Sequence, residues 1–113
     1  MNHFLTDEQN MIVYLGRKIT QEEIIPQRAK LDEEEIFPSE ILRKVAAAAL
    51  YGLYIPEQYG GFEKDFVTGM LGTEAIGGGH SFAVALAAHT GIGTLPILYY
   101  GNDMQKMKYL PKL

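Results

Sequence analysis

Helix-ending chemistry punctuates this chain at short intervals, and no segment between the marks alternates apolar and polar residues with the period of a strand. That pairing constrains the fold most, because period two is what a half-buried sheet requires. "TDEQ", Thr6 to Gln9, has the spacing of a capping box, with Asp7 and Glu8 where the helix dipole favours negative charge. Asn102 and Gln105 repeat that pairing near the other end and open a helix expected to reach Tyr109. Between them, Asp65 opens a helix that "GGG", Gly77 to Gly79, ends, Ser81 is placed to cap the next, and Pro96 suits the first turn of a short helix over 95–100. The chain is read as all-α, a bundle-like helical domain with no sheet.

The apolar spacing assigns faces to these helices. Met11, Ile12, Leu15, Ile19 and Ile25 fall within one stripe, imperfectly, since Lys18 and Glu22 lie inside it, and Pro26 kinks or restarts the helix. "DEEE", Asp32 to Glu35, ends that segment as a solvated run. In "FPSEILRKVAAAALYGL", Pro38 fits the first turn, Gly52 fits a left-handed C-terminal cap, and Leu42, Val45, Ala46 and Ala49 form the apolar face. Val67, Met70, Leu71 and Glu74 share a face of the following helix. A carboxylate on such a face needs a partner, so Glu74 is expected in a salt bridge to an arginine rather than as a general base.

Composition removes several function classes. With 113 residues, 47% of them hydrophobic and 21% charged, the chain is one globular domain. A net charge of -4 with scattered Lys and Arg argues against nucleic acid. The absence of cysteine excludes disulfides, thiolate nucleophiles and zinc–sulfur sites. His3, His80 and His89 lack metal-ligand spacing. The N-terminus has neither the basic region nor the apolar run of a targeting peptide, which points to a cytoplasmic protein. "SFAVALAAHTGIGTLPILYY" resembles a membrane span but is interrupted by His89, Thr90, Gly91, Gly93 and Pro96, so it reads as buried helix. "GGGHS" and "GIG" read as helix punctuation rather than phosphate loops, since neither follows a strand. Ala85, Ala88 and Ile92 share a helix face whose small side chains allow close packing or leave a groove for an apolar ligand; on spacing alone, packing is favoured.

"AAALYGLYIPEQYGGF" resembles the "GLLGLPVPEEYGG" signature of the N-terminal helical domain of flavin-dependent acyl-CoA dehydrogenases. "LTDEQNMI", "EEIIPQRAKLDEEEIFPSEIL" and "YYGNDMQKMKYLPKL" are similar to family segments in matching order, so the likeness covers essentially the whole chain. It implies that residues 1–113 are the first part of a three-part body, followed in such enzymes by a β-domain and a C-terminal four-helix domain. It implies FAD as cofactor and oxidation of a fatty acyl-CoA to the 2,3-enoyl-CoA, a carboxylate taking the α-proton while a hydride leaves the β-carbon. It also implies electron-transferring flavoprotein as partner and a homo-oligomeric parent.

By the same likeness the catalytic carboxylate and most flavin contacts lie past Leu113, so no catalytic residue is assigned here and the 113-residue chain alone is expected to be inactive and flavin-free. What this domain would supply is a wall of the acyl-chain pocket: Val84, Ala85, Ala88, His89, Ile92 and Leu95. "AIGGGHSF" departs from the family pattern in being richer in glycine, and Ala85 and Ala88 are small for that wall. Two rivals are a same-scaffold flavin oxidase or monooxygenase and a free-standing helical interaction module.

Overall fold

The computed structural model describes residues 4–48 and 50–113. Seven α-helices follow one another: α1 Asp7–Ile19, α2 Ile25–Glu33, α3 Ser39–Ala47, α4 Phe66–Ile76, α5 Ser81–Ala87, α6 Leu95–Tyr100 and α7 Asp103–Tyr109. Among the described residues there is no strand. Both capping boxes form: the Thr6 and Asn102 side chains accept from the Gln9 and Gln105 backbone, and each glutamine side chain accepts in return. Asp65 caps α4 by accepting from the Thr68 N–H at 2.9 Å. Pro26 does not end the helix: a π turn, Thr20–Ile24, joins α1 to α2 with Pro26 in the first turn of α2, and the helical path continues.

Three faces differ from the sequence pattern. On α1 and the π turn the buried seam is Val13, Gly16, Thr20 and Ile24; Ile12 and Ile19 of the expected stripe pack partly buried against the core, whereas Met11 is 69% exposed. On α4 it is Thr68, Gly69, Gly72, Ala75 and Ile76, and Val67 and Met70 face outward. Both seams hold small residues because α1 and α4 pack backbone to backbone. A Cβ on Gly16 would stand 2.7 Å from the Ala75 Cβ, and one on Gly72 would stand 3.6 Å from Ile12 Cγ2. The buried Thr20 hydroxyl lies 2.8 Å from the Gly16 carbonyl and 2.9 Å from that of Ala75, tying the two helices. On α3, Ile41 and Val45 are buried while Ala46 is exposed; Ala49 lies outside the described residues, as does His3.

Two turns also differ. α3 ends at Ala47, and Gly52 does not take the left-handed conformation; among the described glycines only Gly60 has positive φ, at 89°. Ser81 does not cap α5 but is its first residue. The preceding position is held by His80, a non-glycine residue at φ 51°, because the Gly77–Gly79 turn runs straight into the helix.

The core joins the Thr20–Ile24 π turn, α3, α4 and α5 through Ile24, Ile41, Val45, Leu50, Ile76, Phe82 and Leu86, with Leu31 of α2 packed against it. A smaller cluster, Ile55, Tyr59 and Leu110, seats the 52–64 loop against the C-terminal turn. That loop closes on itself: the N–H groups of Phe62, Glu63 and Lys64 donate to the carbonyls of Gly52, Ile55 and Leu53 at 2.9, 2.9 and 2.7 Å.

Candidate functional site

The helix carrying the expected pocket wall does not stop at its glycines. From Ser81 to Tyr100 the path stays helical, through α5, a π turn at Ala88–Gly93, and α6 with Pro96 in its first turn. Two threonines hold the widened turn: Thr90 Oγ1 donates to the Leu86 carbonyl at 3.0 Å and Thr94 Oγ1 to that of His89 at 2.6 Å. π turns are rare and recur at functional sites. The expectation of a buried, interrupted helix is corrected on both counts. By length and composition the stretch could cross a membrane, and only 17% of its apolar window is buried.

The open face is where the sequence-derived residues lie. Val84 is 70% and Ile92 81% exposed, Ala88 is exposed, and Ala85 and Leu95 are half-buried. Phe82 and Leu86, on the opposite face, enter the core. His89 turns inward, its ring centroid 4.7 Å from that of Tyr51 and its Nε2 buried without a hydrogen-bond partner. Burial raises the Tyr51 phenol above its ordinary pKa of 10.0; Tyr54 is raised too, by burial first and the Tyr99 phenol second. Both tyrosines therefore stay neutral hydrogen-bonding groups at physiological pH.

Val84 and Ala85 also border a groove of about 440 Å3 with Leu31, Ile36 and Phe37. Sequence reasoning passed over all three of these partners, Ile36 and Phe37 among them. The available signal was an apolar pair, "IF", exposed between an acidic run and a proline.

No cluster of His, Asp or Glu among the described residues could hold a metal ion. Glu74 is exposed and makes no ion pair among the described residues, so the expected salt bridge to an arginine is absent. It points to solvent because Val67 and Met70 share its outward face. In the glycine turn Gly79 packs inward, where a Cβ would stand 3.0 Å from Ile24 Cγ2, while Gly77 has nothing within 4 Å of its Cβ position. No described residue is assigned to a flavin.

An open apolar helix face on a helical domain fits the resemblance, and comparison decides it. The family model of the acyl-CoA dehydrogenase N-terminal domain matches residues 6–113. The chain belongs to the acyl-CoA dehydrogenase family. An acyl-CoA dehydrogenase of Bacillus subtilis (strain 168) is 38% identical to this acyl-CoA dehydrogenase domain over 110 residues, 96% of this chain and 29% of that protein. The solved acyl-CoA dehydrogenase of Bacillus anthracis, complexed with FAD, superposes with a TM-score of 0.90 at 35% identity, covering 96% of this chain and 19% of that one. A chain in the structure of the electron transferring flavoprotein of Acidaminococcus fermentans gives 0.84 at 27% identity, covering 98% and 30%. The domain thus spans less than a third of the length of these relatives.

Proposed function

We propose that residues 1–113 are the N-terminal helical domain of a longer FAD-dependent acyl-CoA dehydrogenase and that Val84, Ala85, Ala88, Ile92 and Leu95 wall its acyl-chain pocket, with His89 turned inward behind that wall. The observation that carries this reading is the open face of Ser81–Tyr100, apolar and stripped of bulk at Ala88, in a domain of this family. The flavin, when bound, supplies the hydride acceptor. The residues of this domain act on the other end of the substrate, excluding water from the tail and aligning it. Desolvating the tail is worth about 0.8 kcal/mol per buried methylene, which is binding energy available for orienting the thioester.

With this reading go three further proposals: electrons pass to an electron-transferring flavoprotein, the parent is a homo-oligomer, and it is cytoplasmic. The first is supported by the match to a chain in an electron transferring flavoprotein structure.

The test is Ala88→Phe in the full-length polypeptide. A phenyl ring on the wall takes the place of distal methylenes, so kcat/KM should fall for palmitoyl-CoA by about fourfold per displaced methylene and hold for butyryl-CoA. An equal fall at every chain length would make Ala88 a packing residue.

A further inference from the structure

The groove beside Val84 and Ala85 leads away from the wall just described. It runs between α2, the 34–38 segment and the first turn of α5, and its 440 Å3 falls within the range of pockets that enclose small apolar ligands. Leu31, Phe37 and Phe82 make its apolar sides. One cation, Arg28, stands on the lining with two carboxylates, Asp32 and Glu35. The guanidinium already donates to the Gly78 carbonyl at 2.6 Å, so part of its donor capacity is spent on the glycine turn. The lining is therefore apolar within and net negative at its charged positions, which suits an uncharged hydrocarbon and rejects an anion.

We propose that this groove receives the distal end of a long acyl chain, with Val84 and Ala85 as its threshold and Phe37 as a chain-length determinant. The proposal rests on the acyl-wall reading above and extends it. Val84 sits one helical turn before Ala88 on the open face, so a tail lying along α5 past Ala88 meets Val84 next, about 6 Å on. Beyond Val84 the surface does not close: the same side chain forms part of the groove's lining. Short chains end before this threshold and make no contact with Phe37. Chains that cross it gain the burial of each further methylene, about fourfold in kcat/KM apiece. A tail ending in a carboxylate meets Asp32 and Glu35 and is disfavoured.

The full-length polypeptide tests this with butyryl-CoA, palmitoyl-CoA and the ω-carboxylated analogue of palmitoyl-CoA, in wild type, Phe37→Asp and Ala88→Phe. Phe37 is largely exposed on a loop, so its replacement should leave the thermal midpoint unchanged. Phe37→Asp is expected to lower kcat/KM for palmitoyl-CoA by at least about fifteenfold, the worth of two buried methylenes, and that for butyryl-CoA by less than about twofold. Wild type is expected to disfavour the ω-carboxylated chain by at least about tenfold. If Ala88→Phe shortens the preferred chain but Phe37→Asp does not, the acyl wall stands and the groove is not part of the pocket. If neither variant changes the profile, or wild type oxidises no acyl-CoA, the acyl-wall reading fails and takes the groove with it. Equal losses at all lengths in Phe37→Asp, or equal use of the two palmitoyl substrates, also overturn the proposal.

Discussion

Gly60 and Gly61 stand side by side in the 52–64 loop for different physical reasons. Gly60 has φ 89° and nothing near its missing Cβ, so it is there for a backbone angle that other residues resist. Gly61 has an ordinary φ, but a Cβ there would run into the Ile55 carbonyl, the acceptor for Glu63 N–H. Gly60→Ala should therefore cost about 1–2 kcal/mol of strain. Gly61→Ala should cost about 1–3 kcal/mol or more, since backbone rather than a flexible side chain must move. Urea denaturation of the chain checks the order; Gly60→Ala as the costlier change would contradict the close approach. At this scale, local chemistry was legible in the sequence and distant chemistry was not. The Thr6–Gln9, Asn102–Gln105 and Asp65–Thr68 bonds join residues three apart. The need for Gly61 depends on where Ile55 is, and Ser81 lost its cap to the turn preceding it.

For the helices, element existence was legible and orientation was not. α1, α4 and α7 begin where the caps place them, yet the sequence stripes of α1 and α4 followed large apolar residues, and much of the buried seams runs through small ones. Large apolar residues here mark outward faces as much as core, as Met11, Val67 and Met70 show. Closeness of helix axes selects glycine, alanine and threonine, which hydrophobicity does not count. The 20-residue helical run was missed for a related reason: glycine and proline are weak helix formers but do not break a helix where a π turn absorbs them. The α1–α4 seam makes a sharp prediction. Gly16→Val places two methyls where even a Cβ would lie 2.7 Å from Ala75, and should cost about 2 kcal/mol or more despite removing a helical glycine. Gly77, with nothing near its Cβ position, is the control: Gly77→Ala should be within about 0.5 kcal/mol of wild type by the same urea midpoint. Equal effects at the two sites would mean that α1 and α4 are not in backbone contact.

The whole molecule is a slab, 41 × 38 × 19 Å between Cα extremes, about two helix layers thick. Its accessible surface is 7427 Å2, against about 6,200 Å2 for a compact monomer of this length. The excess of about 1,200 Å2 is more than one partner's share of a standard interface, about 800 Å2. Much of what is open is apolar: the Val84–Ile92 face, Tyr99, Tyr100, Met104 and Met107 all stand exposed. In a polypeptide of the relatives' length, further chain is available to cover such a face; the 113-residue chain in isolation has only a second copy of itself. Its self-association should therefore depend on concentration, and light scattering from micromolar to millimolar protein should show the mass rising toward a dimer. The patch can be tested separately from general stickiness. Ile92→Glu, at a position 81% exposed, leaves the core untouched and puts a charge that cannot be buried cheaply into the centre of the face. That variant should remain monomeric over the same range with an unchanged helical circular dichroism spectrum. A wild-type mass that stays monomeric to millimolar protein would mean the slab tolerates its open face, and a dimer unaffected by Ile92→Glu would place the contact on the Tyr99–Met107 side instead.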